Sequence, residues 1–115
     1  MRHFELRKAI FHPLAREALR QFSEEANDKI GFAIFKLQLG EKLSMPLSRP
    51  MPSVALGIEE LRVRCSDGSY RVFYYLKSSR GILILHIFEK KTQKTPTREI
   101  DIGRKRLREM LHEEI

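Results

Sequence analysis

Residues 58–88 read IEELRVRCSDGSYRVFYYLKSSRGILILHIF, and the reading of this stretch decides the fold. Ile58 to Cys65 alternates charged and apolar residues, Ser66-Asp67-Gly68 is a turn signal, and Tyr70 to Lys77 is rich in aromatic and β-branched residues. Ser78-Ser79-Arg80-Gly81 is a second turn before Ile82 to Phe88. Short strands punctuated in this way predict an antiparallel meander. The last of them is nearly all apolar and is expected centrally with both faces covered. The first two carry charge, so each is expected to have one wetter face.

Working outward, Phe4 to Ile10 alternates loosely and reads as a short first strand. His12-Pro13 then starts a helix that runs to about Phe22, with proline in the first turn where its missing N–H costs nothing. Ser23-Glu24-Glu25 followed by Ile30, Ala33, Ile34 and Leu37 reads as a second amphipathic helix ending at Gly40, antiparallel to the first. Between Gly40 and Gly57, Pro46, Pro50 and Pro52 predict an irregular surface connector. Thr95-Pro96 predicts the start of a last helix, Thr95 as N-cap and Pro96 at the first helical position, packed through Ile100, Leu107, Met110 and Leu111. The expected fold is α+β: two N-terminal antiparallel helices on a twisted antiparallel sheet of three to four strands, then a C-terminal helix. With 115 residues, the chain closes one core and reads as a single domain over 1–115.

Composition narrows the function classes. A chain with 42% hydrophobic and 32% charged residues has enough apolar surface to fold, which excludes general disorder. Its longest apolar run, Ile82 to Phe88, is broken by His86 and falls short of the roughly 20 residues a spanning helix needs, so no membrane partner is expected. The N-terminal residues lack the apolar region of a secretory signal, and the single Cys65 suits a reducing compartment. A cytoplasmic location is the expectation, with Cys65 as a small buried hydrophobe. The net charge of +7 favours an acidic partner, and the excess peaks in residues 58–95, which hold eight Lys/Arg against four Asp/Glu.

Period-two alternation places the candidate side chains. Glu60, Arg62 and Arg64 share one face of their strand, and Arg71, Phe73 and Tyr75 share one face of the next, opposite Val72, Tyr74 and Leu76. Planar, permanently charged guanidinium groups suit phosphate oxygens, and neighbouring aromatic rings such as Tyr74 and Tyr75 can stack on unpaired bases, a pairing typical of single-stranded RNA sites. Two readings of Arg71 stay open, since it could equally pair with Glu60 or Asp67 across the hairpin. His86, placed by alternation with Ile82, Ile84 and Phe88, reads either as a core histidine or as a catalytic one. Lys90, Lys91 and Lys94 leave the end of the buried strand as a cation cluster. His3, His12, His86 and His112 are dispersed and no carboxylate pair sits at ligand spacing, so neither a metal nor another cofactor is expected. No glycine-rich phosphate loop or nucleophile motif is present.

The run Glu60-Leu61-Arg62, then Asp67-Gly68-Ser69-Tyr70-Arg71-Val72-Phe73-Tyr74, then Leu85-His86-Ile87-Phe88-Glu89-Lys90-Lys91-Thr92-Gln93-Lys94-Thr95-Pro96 resembles the RelE/HigB toxin superfamily of type II toxin–antitoxin pairs, in its phage-derived HigB-like branch. The resemblance implies a RelE/ParE-like fold and a toxin that inhibits translation by cutting mRNA in the A site of the 30S ribosomal subunit. It also implies a cognate helix-turn-helix antitoxin, through which alone the protein would meet DNA. Under it, Arg71 matches the sheet arginine that holds the scissile phosphate, Lys91 or Lys90 the basic residue after the last strand, and Arg62 and Arg64 the preceding basic pair. In that reaction a ribose 2′-OH attacks phosphorus and the 5′-oxygen leaves, so fixed cations stabilise the developing charge without a metal, and a lysine neutralises or protonates the leaving group. RelE proper has a tyrosine shortly after its last basic residue, whereas Thr92-Gln93-Lys94-Thr95 stands here, leaving His86 and Glu60 as candidate bases. Two other functions stay open: a non-enzymatic poison of DNA gyrase, as in the ParE toxins, and a non-catalytic RNA- or partner-binding module.

Overall fold

Residues 5–112 are described by a computed structural model. Its elements are β1 (Ala9–Phe11), α1 (Pro13–Leu19), α2 (Glu24–Gln38), β2 (Ser48–Pro50), β3 (Ile58–Cys65), β4 (Gly68–Ser78), β5 (Gly81–Lys90) and α3 (Thr97–His112). The meander β3-β4-β5 forms as its alternation predicts, each strand antiparallel to the next. β5 is interior, between β1 and β4, and every residue from Ile82 to Phe88 is buried.

The sheet is nevertheless wider than three or four strands, and it is mixed. Its order is β1-β5-β4-β3-β2, five strands, with β1 parallel to β5. Both additions are three-residue edges. β1 begins at Ala9, later than expected, while Phe4 lies outside the described residues. The strand and the residues flanking it supply partners that a buried apolar strand cannot obtain from water: Ile82 N–H donates to Lys8 O and His12 N–H to Ile84 O, both at 2.8 Å. β2 lies within the segment expected to be wholly irregular. Its Pro50 is tolerated because β2 is an edge strand, where a missing N–H breaks no inner ladder.

Helices cover both faces of the sheet. α2 starts at Ser23, whose hydroxyl accepts from Ala26 N–H at 3.1 Å, and Glu24 and Glu25 complement the dipole of its first turn. Ala26, Ile30, Ile34 and Leu37 recur at helical spacing and bury against Leu61, Val63, Val72, Tyr74, Ile82 and Ile84. α1 is shorter than expected and stops at Leu19. On the opposite face α3 packs Leu107 and Met110, with Ile100 and Leu111, against Phe73, Leu83, Leu85 and Phe88. Gly103 brings α3 close, since a Cβ there would lie 2.8 Å from Phe73 Cδ2. Because helices lie on both sides, β4 is buried on both faces from Tyr70 to Tyr74, contrary to the expectation of one wetter face, and only Lys77 in this strand is exposed. α3 begins one residue later than Thr95-Pro96 suggests. Pro96 O accepts from Ile100 N–H, and Thr95 Oγ1 makes no hydrogen bond and so caps nothing.

A bulge changes the face of one candidate residue. The β4–β5 register passes from Phe73↔His86 to Tyr74↔Ile84, leaving Leu85 as an extra residue. Ile82 and Ile84 therefore face α1 and α2, whereas Leu85 and Phe88 join the cluster under α3. His86 is on the α3 side as well, not on the side of Ile82 and Ile84. Strict alternation fails here because one residue is inserted into the ladder.

Candidate nucleic-acid interface

The face of the sheet that α3 covers carries a row of cations beyond the helix's reach. Arg62 of β3 stands directly opposite Arg71 of β4, and Arg64 stands opposite Ser69, which in turn faces Lys90 of β5. Like charges placed opposite each other on a sheet destabilise it, so this arrangement needs compensation. Glu60 supplies it from within the sheet. Its carboxylate is fully buried, Arg49 Nε of β2 donates to Oε1 at 2.9 Å, and Arg71 Nε lies 3.7 Å from the same oxygen. Of the two pairings open for Arg71, the one with Glu60 is formed. Asp67 instead accepts from Tyr70 OH at 3.0 Å.

One carboxylate does not neutralise this group. Arg62, Arg64, Arg71, Lys90 and Lys91 line a common cleft of about 370 Å³ with Ser69, Thr92 and Gln93. A second hollow of about 510 Å³ continues from Arg62, Arg64 and Arg71 to Pro46 and Leu47. Burial lowers the Arg71 pKa, and the positive charges of Arg62, Arg49 and Arg64 add to that effect while Glu60 opposes it. Burial and then Arg71 likewise lower the Lys90 pKa. The Nε atoms of Arg62 and Arg71 and Glu60 Oε2 are buried without hydrogen-bond partners. Arg71 itself is only 8% exposed, its Nη1 donating to Tyr70 O at 3.2 Å, so its orientation is set by the fold. Cations held together in this way make a strongly positive cleft, whose chemistry suits phosphate oxygens.

The remaining candidates lie elsewhere. His86 sits under α3, where Nε2 lies 2.9 Å from Glu99 Oε1 and Nδ1 lies 3.1 Å from Arg106 Nη1. Arg106 can only donate, so Nδ1 accepts and Nε2 carries the proton shared with Glu99. Burial lowers the His86 pKa, outweighing the contrary effect of Glu99. The imidazole also stacks on Phe88, with ring centroids 4.8 Å apart, and it lines neither cationic hollow. Tyr74 is 1% exposed on the α1/α2 side, its hydroxyl 2.6 Å from Ser48 Oγ, so its ring offers no stacking surface in this fold. Tyr75 packs against the cluster under α3. Lys94 is exposed in the turn beyond β5 and does not line the cleft.

Several site residues escaped sequence reasoning. Arg49 lies in a three-residue strand with no periodicity to announce it. Glu99 and Arg106 were legible in principle, since seven residues apart they share a face of α3 beside its apolar stripe. Glu25, Cys65 and Asp67 bring ligand atoms within 4.8 Å of one another, a juxtaposition that spacing along the chain hides. Their acceptors serve the protein, however: Glu25 takes hydrogen bonds from Ser66 N–H and pairs with Lys29, and Asp67 takes the Tyr70 hydroxyl.

The architecture and the cleft together define a small mixed α/β protein with a cation-lined cleft at one end of its sheet. The family model described as "Phage derived protein Gp49-like (DUF891)" matches residues 17–108, from α1 through most of α3, and the chain belongs to this family. Comparison with curated proteins found no match. Among the described residues, no helix is long and apolar enough to cross a membrane.

Proposed function

We propose that this protein is the toxin of a type II toxin–antitoxin pair, of RelE/HigB type, and that it cleaves mRNA by metal-independent attack of a ribose 2′-OH on the adjacent phosphate. The observation that carries this reading is the direct opposition of Arg62 and Arg71, with Lys90 and Lys91 beside them, around one cleft. A sheet tolerates such repulsion at a cost, and a phosphate bound between the cations would offset it. Membership of a phage-derived family is compatible with the toxin role.

In this mechanism Arg71 stabilises charge on the non-bridging oxygens, and Lys90 or Lys91 neutralises the leaving 5′-oxygen. The Lys90 pKa is lowered by burial and by Arg71, which suits it to give a proton to that oxygen. Glu60 is fully buried and engaged with Arg49, which suits holding Arg71 in place better than taking a proton from substrate. His86 is occupied by Glu99 and Arg106. The proton acceptor for the 2′-OH then comes from the ribosome or the RNA, and the protein's own partners are mRNA, the 30S A site and a helix-turn-helix antitoxin.

The test is purified protein added to a translating extract, with mRNA ends mapped by primer extension. Cleavage by the wild type and none by Arg71→Ala is expected. Intact mRNA with the wild type would reject the nuclease reading. RNA binding without cleavage would leave a binding module instead, and inhibited supercoiling would favour a gyrase poison.

A further inference from the structure

An apolar pocket of about 170 Å³ opens beside the cationic hollow, between α2 and the exposed stretch of β3. Phe32, Ala33, Leu43, Leu47 and Val63 form its apolar surface, and Lys29, Lys36, Arg62 and Arg64 form its rim. Leu47, Arg62, Val63 and Arg64 also line the larger cationic hollow, so the two spaces are contiguous. β2 pairs with Glu59, Glu60 and Leu61, so from Arg62 to Cys65 the edge of β3 that faces away from β4 has no paired strand.

Two features of the pocket point to its occupant. Phe32 is 61% exposed although it is a large aromatic residue on a well-packed helix, and every charged group at the rim is a cation. The volume is below that of drug-sized sites and suits a single planar ring system. We infer that this pocket is a nucleobase subsite, holding a base of single-stranded RNA whose neighbouring phosphate lies in the cleft of Arg62, Arg64 and Arg71. The inference rests on the RNA-cleaving reading above and extends it to recognition of the strand. Lys36 Nζ now lies 4.8 Å from the Phe32 ring centroid. An exposed ammonium–ring contact is weaker than base–aromatic stacking, so an entering base displaces Lys36 and frees it for the backbone. Lys29 already pairs with Glu25, but charge complementarity to Lys36, Arg62 and Arg64 favours a polyanion over an apolar protein segment.

The test uses fluorescein-labelled RNA hexamers with 2′-O-methyl groups, which bind but cannot be cleaved, and with one abasic residue moved through the sequence. Fluorescence anisotropy should show binding weakened roughly tenfold at one abasic position and little changed at others. Phe32→Ala, exposed and so compatible with folding, should lose that discrimination while keeping the salt dependence of binding. Equal affinity for all abasic hexamers, or unchanged discrimination in Phe32→Ala, would overturn the subsite, including where the patch instead mediates protein association. If the wild type cuts mRNA but ignores abasic sites, only the subsite fails. If it discriminates abasic sites but cuts nothing, only the nuclease reading fails.

Discussion

Glu60 Oε1 accepts a 2.9 Å hydrogen bond from Arg49 Nε and lies 3.7 Å from Arg71 Nε, so one fully buried carboxylate joins β2, β3 and β4 beneath the cationic cleft. Removing it leaves Arg71 buried and opposite Arg62, without the carboxylate that offsets their repulsion. Glu60→Ala is expected to destabilise the fold by about 3 kcal/mol, the low end for breaking a buried pair because Arg49 is 38% exposed. Glu60→Gln keeps the volume and an acceptor and should lose less. Urea denaturation midpoints measure the difference, and equal stability of Glu60→Ala and wild type would show that the carboxylate compensates nothing.

Arg71→Ala should reduce mRNA cleavage by about 100-fold or more, the usual cost of removing a group that stabilises transition-state charge. Arg71→Lys should recover little, because an ammonium lacks the planar fork and the Nε that faces Glu60. Both variants should remain folded by circular dichroism. Single-turnover cleavage rates give the comparison, and near-complete activity of the lysine variant would argue for simple charge.

Gly103→Ala tests the approach of α3. The new Cβ would meet Phe73 Cδ2 at 2.8 Å and Val54 Cγ1 at 3.0 Å, and the Phe73 ring is fully buried and cannot swing aside. Overpacking of this kind costs about 1–3 kcal/mol, despite alanine's better helix propensity. Thermal unfolding should show a lower Tm, and a raised Tm would mean that the helix shifts freely.

His86 should make stability fall with acid. Its folded-state pKa lies below the unfolded value, so the unfolded chain binds the proton more readily in the interval between them. The contribution is fully present above about pH 6.5 and is lost as pH falls toward the lower folded pKa. Denaturation between pH 7.5 and 5 should show this slope in the wild type and a shallower one in His86→Gln. Identical slopes would remove His86 as its source.

Much of the frame is legible in local pattern. The meander, the apolar interior strand, the capped α2 and the stripe of α3 follow from periodicity, since a side chain's face is set by its own strand or helix. The row of Arg62, Arg64 and Arg71 is legible for the same reason. β1 and β2 are less so, because three residues carry too little periodicity and are held by the strand they pair with. Tyr74 is buried where alternation allows a stacking ring, because alternation tells which residues share a face but not which faces are covered.

The sequence by itself determined that β3, β4 and β5 pair in order and that their charges lie together, because both depend on alternation and on turns within a few residues. Tertiary structure alone decided three matters: the bulge at Leu85 that turns His86 toward Glu99 and Arg106, the parallel edge strand β1, and the bond from Arg49 to Glu60 that steadies the cationic row. Each depends on contacts between segments distant in the chain, where packing and the pairing of buried polar groups override local preference.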